Sequence, residues 1–562
     1  MPYVSQPATL ARNTVVSRSQ SIAIALATLA VLVVWFANIG YRTLSEPDEG
    51  RYAEIPREML ATGDWITPRL NGIPYLEKPP LQYWSTAIAY SAFGMKPWVS
   101  RLWTATLGLL GIVATFLTAR ELWNVRVGQL AAPILASCPL YFVVAHLNTL
   151  DIGLSFFMNA GLSCFMLAQR SSSDTLRRRW MWACWLALAC GFLQKGLVAL
   201  VLPAVTLAIY SLVYRDRQLR RQLHPGTGLL IVAAVCLPWL ILVSTRNPGF
   251  MQFFFVHEHL ARFATTIHKR SEPWWYFIAI LSVGVLPWIW VMLRSVFTRA
   301  PATDSHSRLN ETGLLLTWIA TLLVFFSMSG SKLAPYIVPA APPLALLAAR
   351  WLDVNATAKT LRPVVILAAL LSLLLVFLKL LVPHVMEPGL KQAAYLQLGN
   401  WTLVGGAFGI AGAIAAVIAM RRLQWRAATF FMASGFTVAL AIVMCGTNAL
   451  GVLRSRPGVA AEIAPHVGAN TAFYCVGMYW QALPFELRKT CKLVQYTGEH
   501  ELQFDPQRRQ WLPELADFLR EWQQQPDAVA IVSPEFWPYV EAAGVPARTL
   551  LRAHDVTVIV KP

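Results

Sequence analysis

Nothing constrains this chain more than the recurrence of apolar runs about 20 residues long, the length a helix needs to cross a bilayer core of about 30 Å. Roughly thirteen can be marked, near residues 21–40, 101–119, 128–146, 152–168, 180–193, 197–214, 227–244, 274–293, 312–328, 333–349, 362–382, 401–420 and 427–447. In lipid each backbone N–H and C=O must be satisfied within its own segment, so these runs read as helices. With 56% hydrophobic and 14% charged residues, against roughly 25% charge in soluble domains, a soluble enzyme is excluded. The 22 Trp, 27 Phe and 16 Tyr exclude a disordered chain. A net charge of +18 would suggest a nucleic-acid partner in a soluble protein, but here the positions of the charges matter more than their sum, and no nucleic acid is expected. The first run follows Arg12 and Arg18, exceeds a signal-peptide core, and is read as an uncleaved helix.

Basic residues near helix ends stay on the cytoplasmic side. One set of connectors holds Arg120 and Arg126, then Arg170 with Arg177 to Arg179, then Arg215 to Arg221, Arg294 to Arg308, Arg350 to Arg362, and Arg421 to Arg426. These face the cytoplasm together with the N-terminus. Segments 41–100 and 245–273 mix acids, His, Trp and Pro and face the opposite side. An odd number of spans carries residues 449–562 outward too. The fold class expected is therefore an all-α polytopic membrane domain over 1–448, followed at 449–562 by a small α/β domain. In the latter, β-rich runs at 471–476, 492–496, 528–532 and 556–560 alternate with helical periodicity at 512–524. Its two cysteines, Cys475 and Cys491, would be free to pair in an oxidising compartment unless strand geometry forbids it.

The first outward segment concentrates chemistry: Pro47-Asp48-Glu49-Gly50-Arg51-Tyr52-Ala53-Glu54, Gly63-Asp64-Trp65, then Glu77-Lys78-Pro79-Pro80 and Gln82-Tyr83-Trp84. Asp48 and Glu49 follow the first span. Asp151 stands alone in an apolar surround at the start of the fourth, where an ionisable group is costly and therefore a functional candidate. Arg57-Glu58-Met59, Lys195-Gly196, Glu258-His259 with Arg262-Phe263, His268 before Pro273-Trp274-Trp275-Tyr276, and Lys332-Leu333 with Tyr336-Ile337 complete the set.

With these motifs the chain resembles the integral-membrane, polyprenyl-phosphate-sugar-dependent glycosyltransferases of the GT-C superfamily, and within it the bacterial lipid A 4-amino-4-deoxy-L-arabinose transferases. The resemblance implies a GT-C fold with its active site on the periplasmic side of the bacterial inner membrane. It also implies an undecaprenyl-phosphate sugar donor and a lipid A acceptor. A monomer among membrane lipids is expected. Pro79-Pro80-Leu81-Gln82-Tyr83-Trp84 and Ser331-Lys332-Leu333 with Pro342-Pro343 look like the broader family, which includes protein mannosyltransferase-like members, so a protein hydroxyl or another envelope glycan stays open as acceptor. A flippase or transporter, the rival of another class, should show repeat symmetry and broken helices in matching halves, and neither is visible in the sequence.

Sugar transfer from a lipid phosphate needs a base or orienting carboxylate at the acceptor and donors that hold the leaving phosphate. Asp48 is the first candidate for the carboxylate and Asp151 the second, with an orienting role toward Lys195 as the alternative for Asp151. Lys78, Arg51, Arg262, Lys269, Arg270 and Lys332 are candidates for the phosphate. Juxtamembrane cations also snorkel to headgroups, an alternative that Lys78 and Lys332 escape best because they match motif positions. Glu49, Tyr52, Tyr75, Tyr83, Lys195 and Tyr336 are expected to line the substrate cavity. Glu77 with His259, or His257 as second choice, could hold one divalent metal, zinc or manganese, although the spacing is not a standard one and interfacial hydrogen bonding is the plainer role for these His. No organic cofactor is expected.

Overall fold

The computed structural model describes residues 29–30, 32–216, 222–261, 272–298, 309–453, 457–496, 498 and 510–562. Among them, eight helices are long and apolar enough to cross a membrane, or ten if each of two bent pairs is one span. The pairs are Val125–Ala136 with Pro139–Ala145, bent by 69°, and Tyr276–Gly284 with Ile289–Phe297, bent by 117°. Pro139 lies just beyond the first break and Pro287 within the second, consistent with loss of an N–H and of room for the preceding carbonyl. Two apolar runs of the sequence form helices that fall short of spanning criteria: Asp174–Lys195, which begins with an Arg-rich turn, and Val198–Val213, which has 16 residues.

The spans pack by burying small residues against each other, since lipid tails offer apolar side chains no reason to leave them. Leu390–Arg421 and Trp425–Gly446 show this directly. A Cβ placed on Gly412 would lie 2.8 Å from the Gly435 Cα, so the two backbones touch there. Arg101, fully buried in the Pro97–Leu122 helix, supplies a different kind of cohesion. It donates to the carbonyls of Ile39, Arg42 and Thr43 at 2.7–2.8 Å and to both oxygens of Glu49 at 2.7 and 2.8 Å.

Ahead of the Pro97–Leu122 span the chain forms two further helices, Asp48–Thr62 and Leu81–Phe93, joined by a short hairpin of Arg69–Leu70 and Ile73–Pro74. Most of Asp48–Thr62 is buried, Glu49, Glu54 and Glu58 included. What covers it is in part the C-terminal domain. That domain is a six-stranded sheet in the order Trp511–Leu512, Lys492–Val494, Ala472–Val476, Ala528–Val532, Val556–Val560, Arg548–Ala553. The first four strands run parallel and the last two add antiparallel. Alternate residues face opposite ways. Tyr474 and Val476 pack with Phe518 and Trp522 of the Leu515–Gln524 helix, while Phe473 and Cys475 pack with Ile463, Tyr479 and Ile73 of the hairpin. Cys475 and Cys491 are buried free thiols.

Candidate active site

A cavity of about 290 Å³ opens where the segment after the hairpin, at Lys78, meets the ends of several helices and the stretch that holds Glu258. Its polar lining is Lys78, Asp151, Lys195, Glu258, Ser329, Ser331 and Tyr336, and its apolar wall includes Leu154, Val198, Val201 and Phe326. A cavity lined by both lysines and hydrocarbon suits an amphiphile whose head is an anion.

Each charged group arrives from a different element. Lys78 follows the hairpin, and its Nζ reaches Glu258 Oε2 at 2.8 Å, Glu77 Oε2 at 3.8 Å and the Glu77 carbonyl at 3.1 Å. Glu258 sits in the π-helical stretch Phe253–Ala261, a geometry frequent at functional sites because its extra residue redirects side chains. Asp151 opens the Asp151–Arg170 helix, where the positive end of the helix dipole favours a carboxylate. Lys195 closes Asp174–Lys195, where the negative end favours a cation. The two form a short ion pair, and Lys195 Nζ also lies 4.7 Å from the centre of the Tyr336 ring. A chain of amides fixes the helix ends that carry them. Gln194 donates to Gln82 at 2.8 Å, and Gln82 donates to Asn148 at 2.9 Å.

Beside this cavity lies a second cluster. Arg51 pairs with Asp48 at 3.4 Å, and its guanidinium carbon lies 6.0 and 5.8 Å from the rings of Tyr52 and Tyr75. Asp48, at the start of its helix, keeps 47% of its side chain exposed. The hydroxyls of Tyr75 and Tyr83 are buried without a hydrogen-bond partner among the described residues, a costly state that a polar ligand would relieve.

Of the residues expected from the sequence, Lys78, Asp151, Lys195 and Tyr336 therefore converge on one cavity. Asp48, Arg51, Tyr52, Tyr75 and Tyr83 form the adjoining cluster instead of lining it, and Lys332 is buried beside the lining residue Ser331. Glu49 is a correction. It is not a cavity residue but the internal counter-ion of Arg101, and it also accepts the backbone N–H groups of Ser45 and Asn148 at 2.9 Å each. Burial alone would raise its carboxyl; the Arg101 guanidinium reverses that and holds it at about 2. Glu258, a motif position of the sequence with no role of its own assigned there, lines the cavity, and its signal is a carboxylate directly after Phe253-Phe254-Phe255-Val256-His257.

Arg262, Lys269 and Arg270, and the side chain of His259, lie outside the described residues. His257 Nδ1 is 3.8 Å from Glu258 Oε1, and its ring stacks on Phe253. Among the described residues no three His, Cys, Asp or Glu side chains gather as a metal cluster. Glu77, an expected ligand, lies beside the cavity residue Lys78.

A multi-pass helical scaffold with cationic and acidic side chains in an apolar-walled cavity defines a membrane enzyme that handles a lipid phosphate. Residues 21–254 match the family described as dolichyl-phosphate-mannose-protein mannosyltransferase, and residues 459–561 match the aminoarabinose transferase C-terminal domain. The undecaprenyl phosphate-α-4-amino-4-deoxy-L-arabinose arabinosyl transferase 1 of Pseudomonas fluorescens is 35% identical over 64% of this chain and 66% of its own length. The corresponding transferase of Photorhabdus laumondii is 31% identical over 72% of this chain and 73% of its own. The crystal structure of ArnT from Cupriavidus metallidurans bound to undecaprenyl phosphate superimposes with a TM-score of 0.89 at 32% identity, covering 96% of this chain and 98% of that one. The chain belongs to the undecaprenyl-phosphate aminoarabinose transferase (ArnT) family of GT-C glycosyltransferases.

Proposed function

We propose that this protein transfers 4-amino-4-deoxy-L-arabinose from undecaprenyl phosphate to a phosphate of lipid A at the periplasmic face of the inner membrane. The observation that carries this reading is the cavity itself, lined by Lys78 and Lys195 together with Leu154, Val198, Val201 and Phe326. An ammonium at Lys78 meets the donor phosphate as a point charge, while the wall takes the first isoprene units. An oxygen of the acceptor phosphate attacks the anomeric carbon of the sugar. The bond from that carbon to the donor phosphate breaks, and its electron pair leaves on undecaprenyl phosphate, whose charge Lys78 and Arg51 offset. Asp48 orients the acceptor and takes any proton remaining on it. Asp151 holds Lys195 in place through their ion pair.

Mass spectrometry of lipid A from cells with and without the protein tests the assignment. A gain of one aminopentose supports it, and an unchanged lipid A with a newly glycosylated protein or glycan would favour the broader-family acceptor, toward which the mannosyltransferase match over 21–254 points. A zinc or manganese ion held through Glu77 and His259 is a separate proposal. Elemental analysis decides it: about one ion per chain that is lost in Glu77→Gln supports it, and no metal above background ends it.

A further inference from the structure

Two residues of the C-terminal domain are held from two directions by the chain that leads into the candidate active site. The Glu46 carboxylate accepts the N–H of Gln481 on Oε2 at 2.9 Å and that of Ala482 on Oε1 at 2.6 Å. Four residues on, Gly50 packs directly on the same backbone. A Cβ there would lie 2.4 Å from the Ala482 nitrogen and 2.7 Å from the Gln481 carbonyl carbon, so only a residue without one fits. Helical period turns Asp48 roughly 160° and Arg51 roughly 100° away from Gly50 around the Asp48–Thr62 helix. The domain thus holds one face of the first turn while the opposite side carries the candidate catalytic carboxylate and the flank carries its arginine.

A second clip lies at the far end of the helix. Asn71 donates to the Cys491 carbonyl and accepts the Cys491 N–H, each at 2.8 Å, and the neighbouring Gly72 N–H goes to Glu58 at 2.8 Å. Neither Glu46 nor Asn71 lines the cavity. Their contacts run to a domain that contributes no lining residue to it among the described residues, and Glu46 and Gly50 carry those contacts into the helix that bears Asp48 and Arg51.

We propose that the C-terminal domain is a positioning part of the active site, acting through Gln481 and Ala482 on Glu46 and Gly50 to set the orientation of Asp48 and Arg51. This rests on the transferase reading above. Misplacing a reacting group by about 1 Å can cost about 100-fold in rate, so a carboxylate that merely anchored a domain and one that aims Asp48 differ in what their loss does to turnover.

The test uses the full-length protein purified in detergent, with undecaprenyl-phosphate aminoarabinose as donor and lipid A as acceptor, and kcat and donor KM determined separately per folded molecule. Glu46→Ala should lower kcat by about tenfold or more and Gly50→Ala by a similar factor, with donor KM changed by less than about twofold. Glu46→Gln keeps one strong acceptor oxygen of two and should fall between Glu46→Ala and wild type, and it decides the matter if Glu46→Ala does not accumulate. Wild-type kcat in folded Glu46→Gln and Gly50→Ala would overturn the positioning role, as would a change in KM alone. Absence of transfer by the wild type would instead overturn the transferase reading, and this inference with it.

Discussion

Asp48 and Glu49 are neighbours in sequence with opposite occupations. Asp48 is half exposed and paired loosely with Arg51, whereas Glu49 is buried between Arg101 and two backbone amides. Their substitutions should therefore fail differently. Asp48→Asn should insert and accumulate normally while losing about two to four orders of magnitude in transfer rate, as expected for removal of a general base. Glu49→Ala leaves Arg101 buried without its counter-charge, which typically costs about 3–5 kcal/mol, so it should be seen as loss of folded protein in the membrane fraction. Near-wild-type turnover in Asp48→Asn would remove Asp48 from the reaction. Lys78 tests the donor side. Its hydrogen bonds to charged groups are each worth about 1.5–3 kcal/mol, so Lys78→Ala should weaken undecaprenyl phosphate binding by about 10- to 100-fold. Arg426→Ala, a control beside Gln129, should leave donor affinity unchanged. Equal affinities in all three proteins would return Lys78 to the role of a headgroup-exchanging lysine.

At the level of elements, what the sequence made legible was whatever local pattern determines. Four of the six strands and the Leu515–Gln524 helix fall where apolar alternation and helical period put them. Arg548–Ala553 escaped because it is an edge strand with mostly exposed or half-buried residues, and Trp511–Leu512 because two residues carry no period. The breaks in two spans escaped for another reason: hydropathy is averaged over the run and does not register a 69° or 117° bend. In the site, Lys78, Asp151, Lys195 and Tyr336 were recoverable as motif positions, while the Glu49–Arg101 pair joins residues 52 apart that nothing in the sequence links. Packing of the last two spans gives a prediction at this scale. Gly412→Val would drive atoms into the Gly435 backbone, where a Cβ alone already stands at 2.8 Å. Overpacking of this kind costs about 1–3 kcal/mol, so the thermal midpoint in detergent should fall clearly. Ile414→Ala on the exposed face of the same helix should barely move it, and equal midpoints would mean that the two backbones are not in contact.

For the whole molecule the decisive relation is between the membrane domain and the C-terminal domain, and acids populate their junction. Burial raises the Glu46 carboxyl to about 7, against the two N–H groups of Ala482 and Gln481, with Glu486 adding to the rise and Arg51 opposing it; Tyr496 is the other titratable group that senses Glu46. Burial likewise raises Glu486 to about 7, and it raises Glu54 and Glu58 although Arg57 opposes both. A carboxyl with a raised value in the folded state binds more protons there than when exposed. Its contribution is therefore complete below the ordinary value of 4.5 and is lost as pH rises through about 7. The assembled protein should accordingly melt at lower temperature at about pH 8 than at about pH 6. Glu486→Gln should flatten that slope, since it removes one titrating group and the charge that adds to the Glu46 shift. The measurement is a thermal melt of the full chain across this range, followed by protease protection of the C-terminal domain to locate the loss. A melting temperature that rises with pH through 7, or a Glu486→Gln slope equal to that of the wild type, would show that these carboxyls are ionised at the junction and that the domain is held there by charge pairing with Arg51 and Arg57.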